Sequence, residues 1–195
     1  MINENFVILG AVISGLGSLS YLIDTLKGKA KPNRVTFFLW ALAPLVGFAA
    51  QIKQGVGIQS LLTFMIGFSP AVIFLASFLN KNAAWKLHFF DFICGGLSLL
   101  GLLLWYITKE GFFALLFSMI ADGLASLPTV IKSYRYPETE NDWSYLGSLI
   151  AAILTILTIT NWNFANWGFP IQTLVINLVI FTLVYFRLGK KSKLP

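Results

Sequence analysis

The sequence predicts an all-α integral membrane protein whose seven transmembrane helices form two parallel three-helix repeats joined by a linker helix, a 3+1+3 layout. Three observations predict it. Of the 195 residues, 57% are hydrophobic and 11% charged, where soluble domains average roughly 45–50% and about 25%. The apolar residues gather into seven stretches, each near the ~20 residues that cross ~30 Å of hydrocarbon as a helix. A segment of the chain also matches a later one at a fixed offset, as described below.

The helices are expected at 6–26, 35–52, 58–79, 89–108, 112–133, 143–160 and 167–188. Open strands would leave backbone groups unpaired in lipid, so helices are the spanning form. The first stretch follows Glu4 and no basic residue, unlike a cleaved export signal, and is expected to be retained. It stops at Lys27, Lys29, Lys31 and Arg34; the second, carrying Pro44, runs to Lys53. The third starts beyond Gly55 and Gly57 and carries Pro70. The fourth lies between His88 and Lys109, and the fifth holds Asp122 and Pro128 before Lys132 and Arg135. The sixth follows Pro137 and Asn141, and the seventh carries Pro170 and ends at a basic tail. Residues 1–80 thus form the first repeat, 81–109 the linker helix and 110–195 the second repeat.

Twelve of the fourteen Lys and Arg residues fall on one side of this threading, and only Lys53 and Lys109 on the other. Positive residues collect on the cytoplasmic side, so an N-terminus outside and a C-terminus inside the cell membrane are expected. Seven helices and short loops leave no length for a soluble catalytic domain of 50 residues or more. One Cys and one His argue against a disulfide framework or a zinc site. Neither cofactor nor nucleic-acid partner is expected; the expected partners are a small-molecule solute and the lipid bilayer, with a homo-oligomer left open.

Shifting the chain by 108 residues sets 14–36 on 122–144 with six identities in 23 positions, among them Gly15 with Gly123, Ser18 with Ser126 and Asn33 with Asn141. Pro70 and Pro170 stand at an offset of 100. One intervening helix, an odd number, makes both copies enter the membrane in the same direction, related by an axis along its normal.

The stretch from Leu127 and Pro128 through Thr129, Lys132 and Arg135, followed by Trp143, Ser144 and Tyr145, resembles the PQ-loop signature, with Thr129 in the place of Gln. In the first copy Ser20 and Tyr21 stand in place of the pair. The layout is similar to that of SWEET sugar transporters. The resemblance implies a transporter or facilitator of a small polar solute, a sugar or related metabolite, working by alternating access. A non-transporting receptor or partner protein of the same fold, and an amino-acid or vitamin transporter with proton coupling, are the alternatives. An intramembrane enzyme would need a nucleophile and base, two catalytic carboxylates or a metal cluster; Asp91 and Asp122 lack such a motif, and no enzyme is expected.

Gly10, Ser14 and Ser18 recur every four residues on the first helix, and Ser118, Asp122 and Ser126 on the fifth. Each set shares one helix face. The stripes read as a solute path or as close helix packing. Asp122 is expensive at ~2.5 kcal/mol or more in mid-membrane and points to a path, a relay or a buried partner such as Ser118 or Ser126. Pro44, Pro70, Pro128 and Pro170 are candidate hinges, since each removes a backbone donor inside a helix. Ser77 aligns with Asn177 at the offset of 100, and the resemblance implies solute contact at Asn177, more weakly at Ser77. Trp40, one turn before Pro44, is the candidate for stacking on a ring. Asp24 and Lys132 occupy equivalent positions with opposite charge, a candidate ion pair closing the cytoplasmic mouth.

Overall fold

The computed structural model describes residues 2–83, 85–108 and 110–189, leaving the side chains of Trp105 and Thr108 undescribed. Seven helices carry the fold: α1 (Phe6–Leu26), α2 (Arg34–Lys53), α3 (Ser60–Ala76), α4 (Phe89–Thr108), α5 (Gly111–Arg135), α6 (Asp142–Thr158) and α7 (Phe164–Tyr185). No strand occurs among the described residues. The chain is an all-helical protein in which α1, α2, α5 and α7 are long and apolar enough to cross a membrane. Helices α3 and α6 have 17 residues each, about 25 Å at 1.5 Å per residue and the short end of the spanning range. Of the basic residues counted above, Lys109, Lys190, Lys191 and Lys193 lie outside the described residues.

Local chemistry sets the boundaries. Asn33 caps α2, its Oδ1 accepting from the backbone N–H groups of Val35 and Thr36 at 3.1 and 3.3 Å. Asn141 caps α6 in the same way through Ser144 at 3.1 Å. The two asparagines aligned by the offset of 108 therefore hold the same local job, satisfying the orphan amides of a helix start. Asp91, in the first turn of α4, accepts from the backbone N–H of His88 at 2.7 Å, the returning half of a capping box. Gly28 turns the chain at φ +74°, a left-handed conformation that favours glycine, where α1 gives way to the loop toward α2.

Helix α1 packs mainly on α6 and α3, and α5 packs on α2, α4 and α7; α2 lies against α3, and α6 against α7. The α1–α6 contact is close because its facing residues are small. A Cβ on Gly147 would sit 2.9 Å from Ile13 O, one on Gly17 2.6 Å from Trp143 O, and one on Gly10 3.1 Å from the Cα of Ala151. Glycine here lets two backbones approach without a side chain between them. Helix α4 lies outside this core on α5, where Ser98 Oγ reaches Ala121 O at 2.8 Å, and turns Phe92, Leu99, Leu100 and Leu103 outward. Such an apolar outer face suits hydrocarbon rather than water.

Candidate functional site

Six helices leave a cavity of about 60 Å³ at the centre of the protein. Ser14, Ser18 and Tyr21 reach it from α1, Phe37 and Trp40 from α2, and Ser69 and Pro70 from α3. Asp122 reaches it from α5, Ser144, Tyr145 and Ser148 from α6, and Thr173 and Asn177 from α7. Hydroxyls, an amide and a carboxylate thus converge from helices that are otherwise apolar. At ~15 Å³ of cavity per water, the space takes on the order of four waters. A small-molecule site is several times larger, roughly 300 Å³ or more.

Asp122 is 7% exposed. Its Oδ2 accepts from Gln172 Nε2 at 2.8 Å, and the same Nε2 lies 2.9 Å from Met119 O. The expected serine partners are engaged elsewhere: Ser118 Oγ donates to Ala114 O and Ser126 Oγ to Gly123 O, each at 2.7 Å. A serine on its own helix finds a backbone carbonyl one turn back sooner than it finds a neighbouring side chain, so the amide of α7 takes the carboxylate. Trp40 Nε1 donates to the backbone O of Asp122 at 3.3 Å, and its ring lies 5.5 Å from that of Phe37. Ser14 Oγ lies 3.4 Å from Ser148 Oγ across the α1–α6 contact. Asn177 turns its Nδ2 back to Thr173 O at 2.8 Å while lining the cavity.

The remaining sequence candidates lie away from this cavity. Ser77 caps the C-terminus of α3, where Arg34 Nε and Nη2 hold its Oγ and O at 3.1 and 2.6 Å. It is an anchor for Arg34, because α3 stops at Ala76 whereas α7 continues well past Asn177. Ser126 is buried without lining the cavity. Pro44 and Pro170 sit buried inside α2 and α7, while Pro128 borders a separate cleft beside α4. All four internal prolines fall within unbroken helices.

The expected pair of Asp24 with Lys132 is not formed. Lys132 Nζ binds Glu140 Oε1 at 2.6 Å, with side-chain exposures of 1% and 0%. Asp24 Oδ2 instead accepts from Asn141 Nδ2 at 2.7 Å. The reason is local: a single turn at Pro137–Thr139 folds Glu140 back onto the end of α5, eight residues after Lys132. Glu140 Oε2 also accepts from Tyr21 Oη at 2.8 Å and Tyr145 Oη at 2.7 Å. Lys132 donates in addition to the carbonyl of Lys31, and Lys31 N–H donates to Thr139 O at 2.9 Å. One buried carboxylate therefore ties α1, α5 and α6 together at the end of the cavity that Tyr21 and Tyr145 line. Glu140, Tyr21 and Tyr145 had a sequence signal in retrospect: an acid beside the α6 cap, on the side that carries most of the cations.

Among the described residues no group of three or more His, Cys, Asp or Glu could hold a metal ion. Cys94 is buried, and His88 is exposed at the start of α4. No protein-family model, curated protein or solved structure matches the chain.

Proposed function

We propose that the chain is a membrane transporter or facilitator that moves a small polar solute, a sugar or related metabolite, by alternating access between residues 1–80 and 110–195. The observation that carries this reading is the central cavity, to which both halves of the chain send hydroxyl, amide and carboxylate groups through apolar helices. The neighbour pattern supports two like units: α1 lies on α3 and α6, and α5 lies on α7 and α2. Exchanging the two proposed units turns one set of contacts into the other, and leaves α4 as the linker of a 3+1+3 layout similar to that of SWEET transporters.

In this reading Asp122, Asn177, Ser14, Ser18 and Trp40 contact the solute, joined by Ser69, Ser148 and Thr173. Trp40 offers a ring face, and the hydroxyls exchange for the solute's hydration shell. A cavity of about 60 Å³ is too small for the solute, so the halves must part to admit it, with Pro70 at the cavity wall as one hinge. The Lys132–Glu140 pair with Tyr21 and Tyr145 is the gate on the basic side, which the positive-inside rule assigns to the cytoplasm. The cell membrane is the proposed location.

Proteoliposomes containing the purified chain test the reading. Solutes are first chosen by the rise they give in thermal stability, since a ligand bound only by the folded state stabilises it. The expected result is saturable counterflow of one sugar-class solute that Asn177→Ala weakens. Ligand stabilisation without flux would replace the transporter by a receptor of the same fold.

A further inference from the structure

A second cleft of about 520 Å³ opens at the basic end, between the start of α4, the end of α5 and the α1–α2 loop. It is separate from the central cavity and within the roughly 300–1,000 Å³ range of small-molecule sites. Lys31, Lys86 and Arg135 line it, and among the described residues none of the three has a carboxylate within 4.0 Å. Lys132 also borders the cleft, its charge already met by Glu140 and its Nζ 4.9 Å from the centre of the Trp85 ring. The one carboxylate in the wall, Asp91, is held by the backbone N–H of His88. The cleft is therefore cationic. Its other wall is apolar: Phe90 and Ile131 line it, at 41% and 39% exposure, and Leu127, one turn before Ile131 on α5, is 42% exposed.

We infer that this cleft binds the phosphate headgroup of an acidic lipid, the anion meeting Lys31, Lys86 and Arg135 while an acyl chain runs along the exposed apolar side chains of Phe90, Ile131 and Leu127. Unpaired cations next to exposed apolar side chains, at the ends of membrane-length helices, match the two ends of such a molecule. A soluble phosphate would use the cations and leave the apolar wall idle. The inference rests on the chain lying in a membrane; transport is not required for it.

The test is thermal stability of the full chain in a neutral detergent, titrated with dioctanoyl phosphatidic acid, dioctanoyl phosphatidylcholine and inorganic phosphate. The expected result is saturable stabilisation by the acidic lipid alone, weakened roughly tenfold or more in apparent affinity in K86Q/R135Q. Lys86 and Arg135 are exposed, so that variant should fold with an unchanged Tm in the absence of lipid. K27Q/K29Q removes two other exposed cations of the same end and should bind as the unaltered chain does. Equal stabilisation by phosphatidylcholine, or equal loss in K27Q/K29Q, would overturn the site. Equal stabilisation by inorganic phosphate would overturn the lipid as its occupant.

Discussion

Removing one partner of the Lys132–Glu140 pair should destabilise the protein far more than removing both. Both side chains are essentially without solvent contact, at 1% and 0% exposure. Lys132→Met leaves the Glu140 carboxylate charged or forces it to take up a proton, and breaking such a buried pair costs about 3–5 kcal/mol. Glu140→Gln strands the Lys132 ammonium in the same way. The double variant K132M/E140Q has no net charge to desolvate, and the Gln Oε1 can accept from both Tyr21 and Tyr145 as Glu140 Oε2 does; the lost Lys132 bond to the Lys31 carbonyl costs about 1 kcal/mol. Each single variant should thus lose on the order of ten degrees of Tm for a chain of this length, and the double variant should recover most of it. Thermal unfolding of the four proteins in one detergent closes the cycle. Additive losses, within about 0.5 kcal/mol, would mean the two residues act independently and that the pair does not hold α5 to the α6 entry. The same variants should speed maleimide labelling of S18C in a Cys94→Ser background from the basic side, because Ser18 lies in the cavity just behind the latch.

Other substitutions test other levels of the structure. Asp122→Asn keeps an acceptor for Gln172 Nε2, so it should fold with little change in Tm while lowering flux of the identified solute at least tenfold; unfolding would make the carboxylate structural. Gly147→Ala places a methyl 2.9 Å from Ile13 O and should cost about 1–3 kcal/mol by overpacking, measured as a fall in Tm. Gly96→Ala meets nothing within 4 Å and should be neutral or gain about 0.5–1 kcal/mol from helix propensity. A reporter fused after Pro195 should be cytoplasmic and one before Met1 external; both ends on one side would remove the seven-span topology.

The helices were legible because hydrocarbon-length apolar runs leave the chain few alternatives, and because loops announce themselves through Lys, Asn, Gly and Pro. The expected bounds differ most at α7, expected at 167–188 and found at Phe164–Tyr185, and next at α3, where the apolar run continues to 79 but the helix stops at Ala76 and its C-cap residue Ser77 binds Arg34. That stop is a tertiary effect: Arg34 sits at the start of α2, and its guanidinium also lies 4.2 Å from the centre of the Phe78 ring. Of the candidate solute contacts, Ser14, Ser18, Trp40, Asp122 and Asn177 meet at one cavity, while Ser77 and Ser126 do not. Spacing by four locates a helix face but cannot say which neighbour the face meets, and on α1 it led in two directions, Gly10 to packing and Ser18 to the cavity. An acid beside the α6 cap stood in the sequence, but the partner it takes was illegible for another reason. Glu140 is placed by one turn in a loop, where neither periodicity nor the offset of 108, which sets it against Pro32, says anything about its direction.

The two ends of the helix bundle are held by different chemistry, and this bears on how the proposed halves would move. At the basic end the closure is directional: one carboxylate receives an ammonium and two phenol hydroxyls from three helices. At the other end Leu115, Val56, Ala165 and Phe169 form an apolar cluster, with Ile66 and Met119 packed against it. Phe169 is wholly buried and lies so close to α2 that a Cβ on Gly47 would fall 2.2 Å from its ring. One neutral hydrogen bond crosses this end, Gln51 Nε2 of α2 donating to Ala165 O of α7 at 2.8 Å; the rest is apolar contact, which is non-directional and roughly proportional to area. The polar end resists until its pair separates, since a partly parted ion pair in low dielectric has lost its partner without yet gaining water. A neutral hydrogen bond is weaker than a charge-assisted one, so in the proposed alternating-access cycle the end around Phe169 would open first while the ionic latch stays shut. In that proposed cycle, solute or water reaching Asp122 and Tyr21 would hydrate the latch, as both residues line the cavity beside it.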